Sequence, residues 1–87
     1  MKVEQMHGNN GPVKNQFLIW TDDGVYFQSY HTVIAFRPYG GPVQIDRENW
    51  DYSRTTGKYR NLFLRETKTD TEKKIKNGTY ILTDLNK

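Results

Sequence analysis

Near Asp46 the chain changes its periodicity, and that change constrains the fold more than any other feature of the sequence. Upstream, short runs rich in aromatic and β-branched residues are separated by Gly, Asn, Asp and Pro. Downstream, apolar residues recur three and four positions apart between Thr and Gly punctuation. The first pattern is that of strands and the second that of helices. The sequence therefore predicts an α+β fold: an antiparallel β-sheet of four to six strands with one or two short helices packed on one face. At 87 residues it makes one small domain. We divide it into a β-meander over residues 1–46, a helical segment over 47–79, and a final strand with the C-terminus over 80–87.

Residues 2–6 alternate charged and apolar side chains and read as a short strand, and HGNNGP (7–12) reads as a turn or loop. The runs 15–20 and 25–30 flank Thr21-Asp22-Asp23-Gly24, and Asp-Gly between such runs signals a hairpin. A third run covers 32–36, and the Gly- and Pro-rich turn 37–42 leads to a short strand at 43–46. Thr55 or Thr56 then caps a helix reaching Glu66. In it Tyr59, Leu62 and Phe63 form an inward stripe, while Lys58, Asn61 and Arg65 share a polar face. Thr69-Asp70-Thr71-Glu72 has capping-box spacing and starts a second helix that stops at Asn77-Gly78, with Ile75 as its apolar anchor. Residues 80–85 return as a strand, with Tyr80 and Leu82 on one face.

Only 34% of residues are hydrophobic, yet 14% are aromatic. A chain this short buries only about 60–65% of its unfolded surface, and each large ring can bury ~150–250 Å². Trp20, Tyr26, Phe27, Phe36, Trp50 and Phe63 are therefore expected to organise a thin core, with Trp50 buried at the crossover from sheet to helix.

The chain has no cysteine, which excludes disulfides and thiolate metal sites and fits a reducing compartment. The N-terminal MKVEQMHGNNGP lacks the apolar stretch of a signal peptide, and the longest apolar runs are far too short to span a bilayer. We expect a cytoplasmic protein that does not engage a membrane. Asn77-Gly78-Thr79 matches a glycosylation sequon, but a helix stop is the better explanation. His7 and His31 have no metal-ligand spacing, and a zinc site would need distant carboxylates to complete it. Asp46, Glu48 and Asp51 read as caps and solubilising charges, and Ser29 and Ser53 lack a nucleophile motif. The expectation is a binding module that is not an enzyme and needs no cofactor.

The densest polar signal is WDYSRTTGKYRN (50–61). Its Thr55-Thr56-Gly57-Lys58 invites comparison with a phosphate-binding P-loop. A Walker motif would need Gly at Tyr52 and Ser or Thr at Tyr59, so the motif does not match. The ingredients of an anion site are nevertheless present: hydroxyls, a glycine, free N–H groups at a helix start, and cations. Ser53, Arg54, Thr55, Thr56, Lys58 and Arg60 supply them, with Tyr26, Tyr30 or Tyr52 to stack on a ring. A capped amphipathic helix with solvated cations accounts for the same spacing. The net charge of +3 and pI near 9.2 lean toward anionic partners without the basic stripe of a dedicated DNA binder.

The run W-D-Y-S-x-T-T-G-K-Y-R-N-x-F-L (50–64), followed by E-T-x-x-x-T-E-K-K-I-K-x-G-x-Y-I-L-T-D-L-N (66–86), resembles a family of short tailed-bacteriophage proteins of unknown function. The resemblance extends upstream through Phe27-Gln28-Ser29-Tyr30 to about Asn15. Three departures stand out: a longer turn at 37–42, Leu62 in place of a polar residue, and Arg65 in place of a glycine. The last implies a helix that runs on past Arg65. The resemblance implies a phage origin and a host-cell cytoplasmic setting, with no known activity.

Three functions are expected from these features. The first is a counter-defence protein that sequesters an anionic nucleotide-like immune signal, in a pocket of the kind often built across a homo-oligomer interface. The second is a protein–protein inhibitor that masks a host defence enzyme through Tyr, Trp and Arg anchors. The third is a small accessory protein that binds single-stranded nucleic acid by stacking rings beside cations.

Overall fold

The computed structural model describes residues 1–86. Six strands form one sheet: β1 (Lys2–Gly8), β2 (Gly11–Trp20), β3 (Gly24–Ser29), β4 (Thr32–Pro38), β5 (Gln44–Asp46) and β6 (Ile81–Thr83). Their spatial order is their chain order. Two helices, α1 (Arg54–Leu64) and α2 (Lys68–Lys76), lie between β5 and β6. The α+β class and the strand number agree with the sequence. The first four pairings are antiparallel, but β6 runs parallel to β5. A parallel neighbour needs a crossover, and the two helices provide it. No helix among the described residues is long and apolar enough to cross a membrane.

The first hairpin is tighter than HGNNGP suggested. Only Asn9 and Asn10 form the turn, Gly8 pairs with Gly11, and Gly11 takes the positive φ of 103°. Putting that dihedral on glycine lets the ladder continue to the hairpin's end. In the second hairpin Thr21 N–H donates to Gly24 O at 2.8 Å. A Cβ on Gly24 would collide with Arg37 O and Pro38 Cα, so only glycine permits this approach of β3 to β4. Ile34 is an extra residue in β4: Phe27 pairs with Ala35, and Gln28 with Val33. The bulge turns Ile34 into the core, where it is 1% exposed.

The core lies between the sheet and the helices. Val25 and Phe27 from β3, Ala35 from β4 and Ile45 from β5 meet Phe63 of α1, whose ring stacks on Phe27 with centroids 5.7 Å apart. Trp20 and Trp50 pack on this cluster half-buried, so Trp50 is a lid on the core and not its centre. Tyr26 and Phe36 stack on each other at 4.2 Å and lie outside the cluster.

The helices begin and end at other residues than the spacing suggested. Ser53 caps α1, in place of Thr55 or Thr56, because it stays extended and its Oγ accepts Thr56 N–H at 3.1 Å. The inward stripe is Thr56, Arg60 and Phe63, while Leu62 is 51% exposed. Arg65 terminates the helix in the left-handed conformation (φ 57°), its N–H bonded to Asn61 O. It thus does the work of a glycine, at roughly 1 kcal/mol of backbone strain. α1 has no basic residue in its last turn. Arg37 of β4 supplies the missing donor, 2.8 Å from Phe63 O, with its guanidinium 4.6 Å above the Phe63 ring. For α2 the reciprocal capping box is Thr67 with Asp70, two residues before the pair that the spacing suggested.

Two buried carboxylates fasten the C-terminal part to the sheet. Asp46 accepts Asn49 N–H and Nδ2 on one oxygen and Leu85 N–H on the other. Glu66 accepts the Thr71 hydroxyl, Lys74 Nζ and the Tyr80 hydroxyl within 2.6–2.8 Å. Burial pushes both carboxyls up, but these donors outweigh it and hold them below their ordinary values. The final strand ends at Thr83, short of the expected Leu85. Beyond it Asn86 uses its carboxamide as a stand-in peptide, bonding both N–H and C=O of Val33.

Candidate functional site

The first turn of α1 separates two surface hollows. One, of about 750 Å³, is walled by Asp51, Ser53, Arg54, Gly57, Lys58, Arg60, Asn61, Leu62 and Lys68. The other, of about 370 Å³, is walled by Ser29, Tyr30, His31, Thr32, Ile34, Tyr52 and Thr56. A helix start aims unpaired N–H groups and the positive end of its dipole outward. α1 carries no acid in its first turn to answer that field.

Four cations and one acid border the larger hollow. Asp51 binds Lys68 at 2.7 Å and Arg60 at 3.4 Å. Burial raises the Asp51 pKa, the Lys68 and Arg60 contacts outweigh it, and the carboxyl stays below its ordinary range. Lys68 is raised in turn, first by its hydrogen bond to Asp51. The acid is thus committed to two of the four cations. The other two are open. Arg54 makes no hydrogen bond or ion pair among the described residues, and Lys58 only overlies the Tyr59 ring at 5.4 Å. Both are exposed and one helical turn apart, so they face the same side.

Arg60, expected at the surface, is 1% exposed. Its Nη1 donates to Trp50 O at 2.7 Å and its Nη2 to Asn61 Oδ1 at 3.0 Å, while its guanidinium lies 5.0 Å from the centre of the Trp50 ring. The side chain is a strut that ties α1 to the segment before it. Its Nε is buried with no partner. Thr56 is likewise inward: it is 2% exposed, and its hydroxyl lies 3.1 Å from Ser29 Oγ and 3.2 Å from Ser53 Oγ.

The structure therefore divides the residues singled out from the sequence. Ser53, Arg54, Lys58 and Arg60 share the larger hollow, and Tyr30, Tyr52 and Thr56 share the smaller. Thr55 is exposed on the first turn and borders neither hollow. Tyr26 does not join them: strand alternation turns it away from the helices onto Phe36. Lys68 and Asn61 were missed as wall residues. The Asp51–Lys68 pair spans the whole of α1, so no local spacing announces it. No three His, Asp or Glu side chains converge on a possible metal site among the described residues.

These features define a small α+β domain that presents a basic hollow at a helix start. The chain belongs to DUF8033, a family of unknown function whose model matches residues 1–78. No curated protein and no solved structure matches it.

Proposed function

We propose that the chain is a phage-encoded, non-catalytic binding protein that sequesters an anionic, nucleotide-type immune signal in the host cytoplasm. The observation that carries this reading is the uncommitted pair Arg54 and Lys58 beside an acid-free helix start, on the wall of the larger hollow. Phosphates would sit against Arg54, Lys58 and the first-turn N–H groups, with the Ser53 hydroxyl in reach. A base would lie across the first turn against Tyr52 and Tyr30, which are 74% and 52% exposed.

Gly57 adds support. A glycine inside a helix costs about 1 kcal/mol relative to alanine. Here its φ is not positive, and an added Cβ would meet Arg60 Nη2 at 3.7 Å, an ordinary contact. The fold does not need glycine at this wall. A missing Cβ there leaves room for a ligand to approach the backbone.

A second reading is an inhibitor that masks a host defence enzyme. It is favoured by Tyr52 and Leu62, exposed apolar side chains on either side of the same helix. Mass spectrometry of what denatured protein releases, followed by thermal shifts with linear and cyclic nucleotides, separates the two. The nucleotide reading expects a shift of several degrees at saturating ligand. Arg54→Ala and Lys58→Ala should abolish it without altering the unliganded melting temperature. Tyr52→Ala should weaken nucleotides more than inorganic pyrophosphate. If no nucleotide shifts the protein and nothing is released, the sequestration reading falls and the inhibitor reading takes its place.

A further inference from the structure

The face of the sheet away from the helices has a composition unlike the rest of the chain. Val3, Ile19, Tyr26, Phe36, Gln44 and Ile81 are paired in register across all six strands, one residue from each. Gln5, Phe17, Gln28 and Val33 form the next row. The chain has 13 basic and 10 acidic residues, and none occupies these ten positions; Asp46, two residues beyond Gln44 on this side, is buried and bonded to Asn49 and Leu85 N–H. None of the seven apolar members belongs to the cluster under the helices. Val3 and Ile81, at the two rims, are 55% and 45% exposed, while Phe36 at the centre is 7% exposed under its neighbours. A sheet face meant for water usually alternates in polar and charged residues, and depletion of charge with aromatic enrichment marks the centre of an interface.

We propose that this face is the contact of a two-fold dimer, its occupant being a second copy of the same chain. The argument for a like partner is electrostatic. Each chain carries a net charge of +3, and Arg54, Lys58, Arg60 and Lys68 crowd the helix side. Two copies meeting through their helices would set these cations against each other. Meeting through the neutral face, they carry both basic hollows to the outside. A face without charge also offers nothing to select a charged partner.

A two-fold contact must complement itself. Apolar side chains do so, and so do the carboxamides of Gln5 and Gln44, each holding both a donor and an acceptor. Ten positions, on strands ~4.8 Å apart with ~6.7 Å between same-face neighbours along a strand, give a flat footprint of about 300 Å² before side-chain relief. That is well below the ~800 Å² that one partner buries in a standard stable complex, so the dimer is weak and should dissociate on dilution. Each ligand hollow then belongs to a single subunit, and the contact stands or falls independently of what the hollow binds.

Sedimentation equilibrium of the full chain, from about 1 mM down to about 1 µM, tests this. The expected result is a mass rising with concentration from 10.3 kDa to twice that value and no further. Val3→Lys and Ile81→Lys, both at exposed positions and checked for folding by circular dichroism, should weaken the dimer at least tenfold. Leu62→Lys, an equally exposed apolar position on α1, should not change it. A chain of 10.3 kDa at every concentration would overturn the proposal. So would a dimer sensitive to Leu62→Lys and indifferent to the two sheet-face variants, or growth beyond a dimer.

Discussion

The two faces of the sheet handle polarity in opposite ways. Under the helices, and at the end of β5, the structure buries Arg60, Asp46, Gln16, Ser29, Thr56 and Thr71. Most of these polar groups are tied into bonds that cross between elements: Arg60 to Trp50 O, Asp46 to Leu85 N–H, Ser29 to Thr56. Gln16, which has no partner for either amide atom, is the exception. The ten open-face positions carry no charge and make few such bonds. The difference teaches that the closed face is held by specificity as much as by burial. Its polar groups can be satisfied only when sheet, helices and C-terminus are all in place. The open face asks only for contact.

Truncating one aromatic on each face tests this contrast most strongly. Phe27→Ala empties a fully buried site stacked on Phe63 and should cost about 3–5 kcal/mol in urea denaturation. Phe36→Ala removes a ring that is 7% exposed but lies outside the core cluster, stacked on Tyr26, and should cost less, about 3 kcal/mol in the monomer. Equal costs would mean that the open face is as much a core as the closed one.

Arg60→Met keeps the volume but leaves Trp50 O and Asn61 Oδ1 without their donor. We expect a loss of about 2–3 kcal/mol, with no such loss for Arg54→Ala, which should stay within about 0.5 kcal/mol. If the two arginines cost the same, the division between strut and free cation is wrong.

Acid tests the buried carboxylates next. Asp46 and Glu66 have folded pKa values below their ordinary 3.8 and 4.5. The native state therefore binds fewer protons than the unfolded chain in that range. Their contribution is complete above about pH 5 and disappears as pH falls through the lowered folded values. Urea midpoints measured from neutral to acidic pH should drop in that window. Asp46→Asn or Glu66→Gln should flatten the drop, and Ile19→Ala on the open face should leave its shape unchanged. The smallest effect should be a gain: Gly57→Ala is expected to stabilise by about 0.5–1 kcal/mol, while weakening nucleotide binding in the thermal-shift assay.

Much of the fold was legible. The Asp-Gly hairpin, the change of periodicity after Asp46 and the Asn77-Gly78 stop are local signals, and each marks a boundary of an observed element. Helix ends were read less well. Ser53 and Thr67 took the caps assigned to later threonines, because hydroxyls two or three residues apart look alike in sequence and only the backbone's entry angle selects among them. Of the candidate site, the cluster at the start of α1 was legible as a composition. Its division into a phosphate-sized hollow, a ring-lined hollow and a buried strut was not.

By itself, then, the sequence determined which segments become strands and helices and which residue types gather at residues 50–61. Those are properties of near neighbours, set by dihedral preference and side-chain spacing. Only the tertiary structure decided that Arg60 turns inward while Arg54 and Lys58 stay free, that Tyr26 leaves the site, and that one sheet face has no helix over it. Each of those outcomes depends on what lies across the chain: Trp50 and Asn61 around one guanidinium, Phe36 beside one ring, two helices committed to one side of the sheet. Partners distant in sequence fix them, and no local pattern encodes such partners.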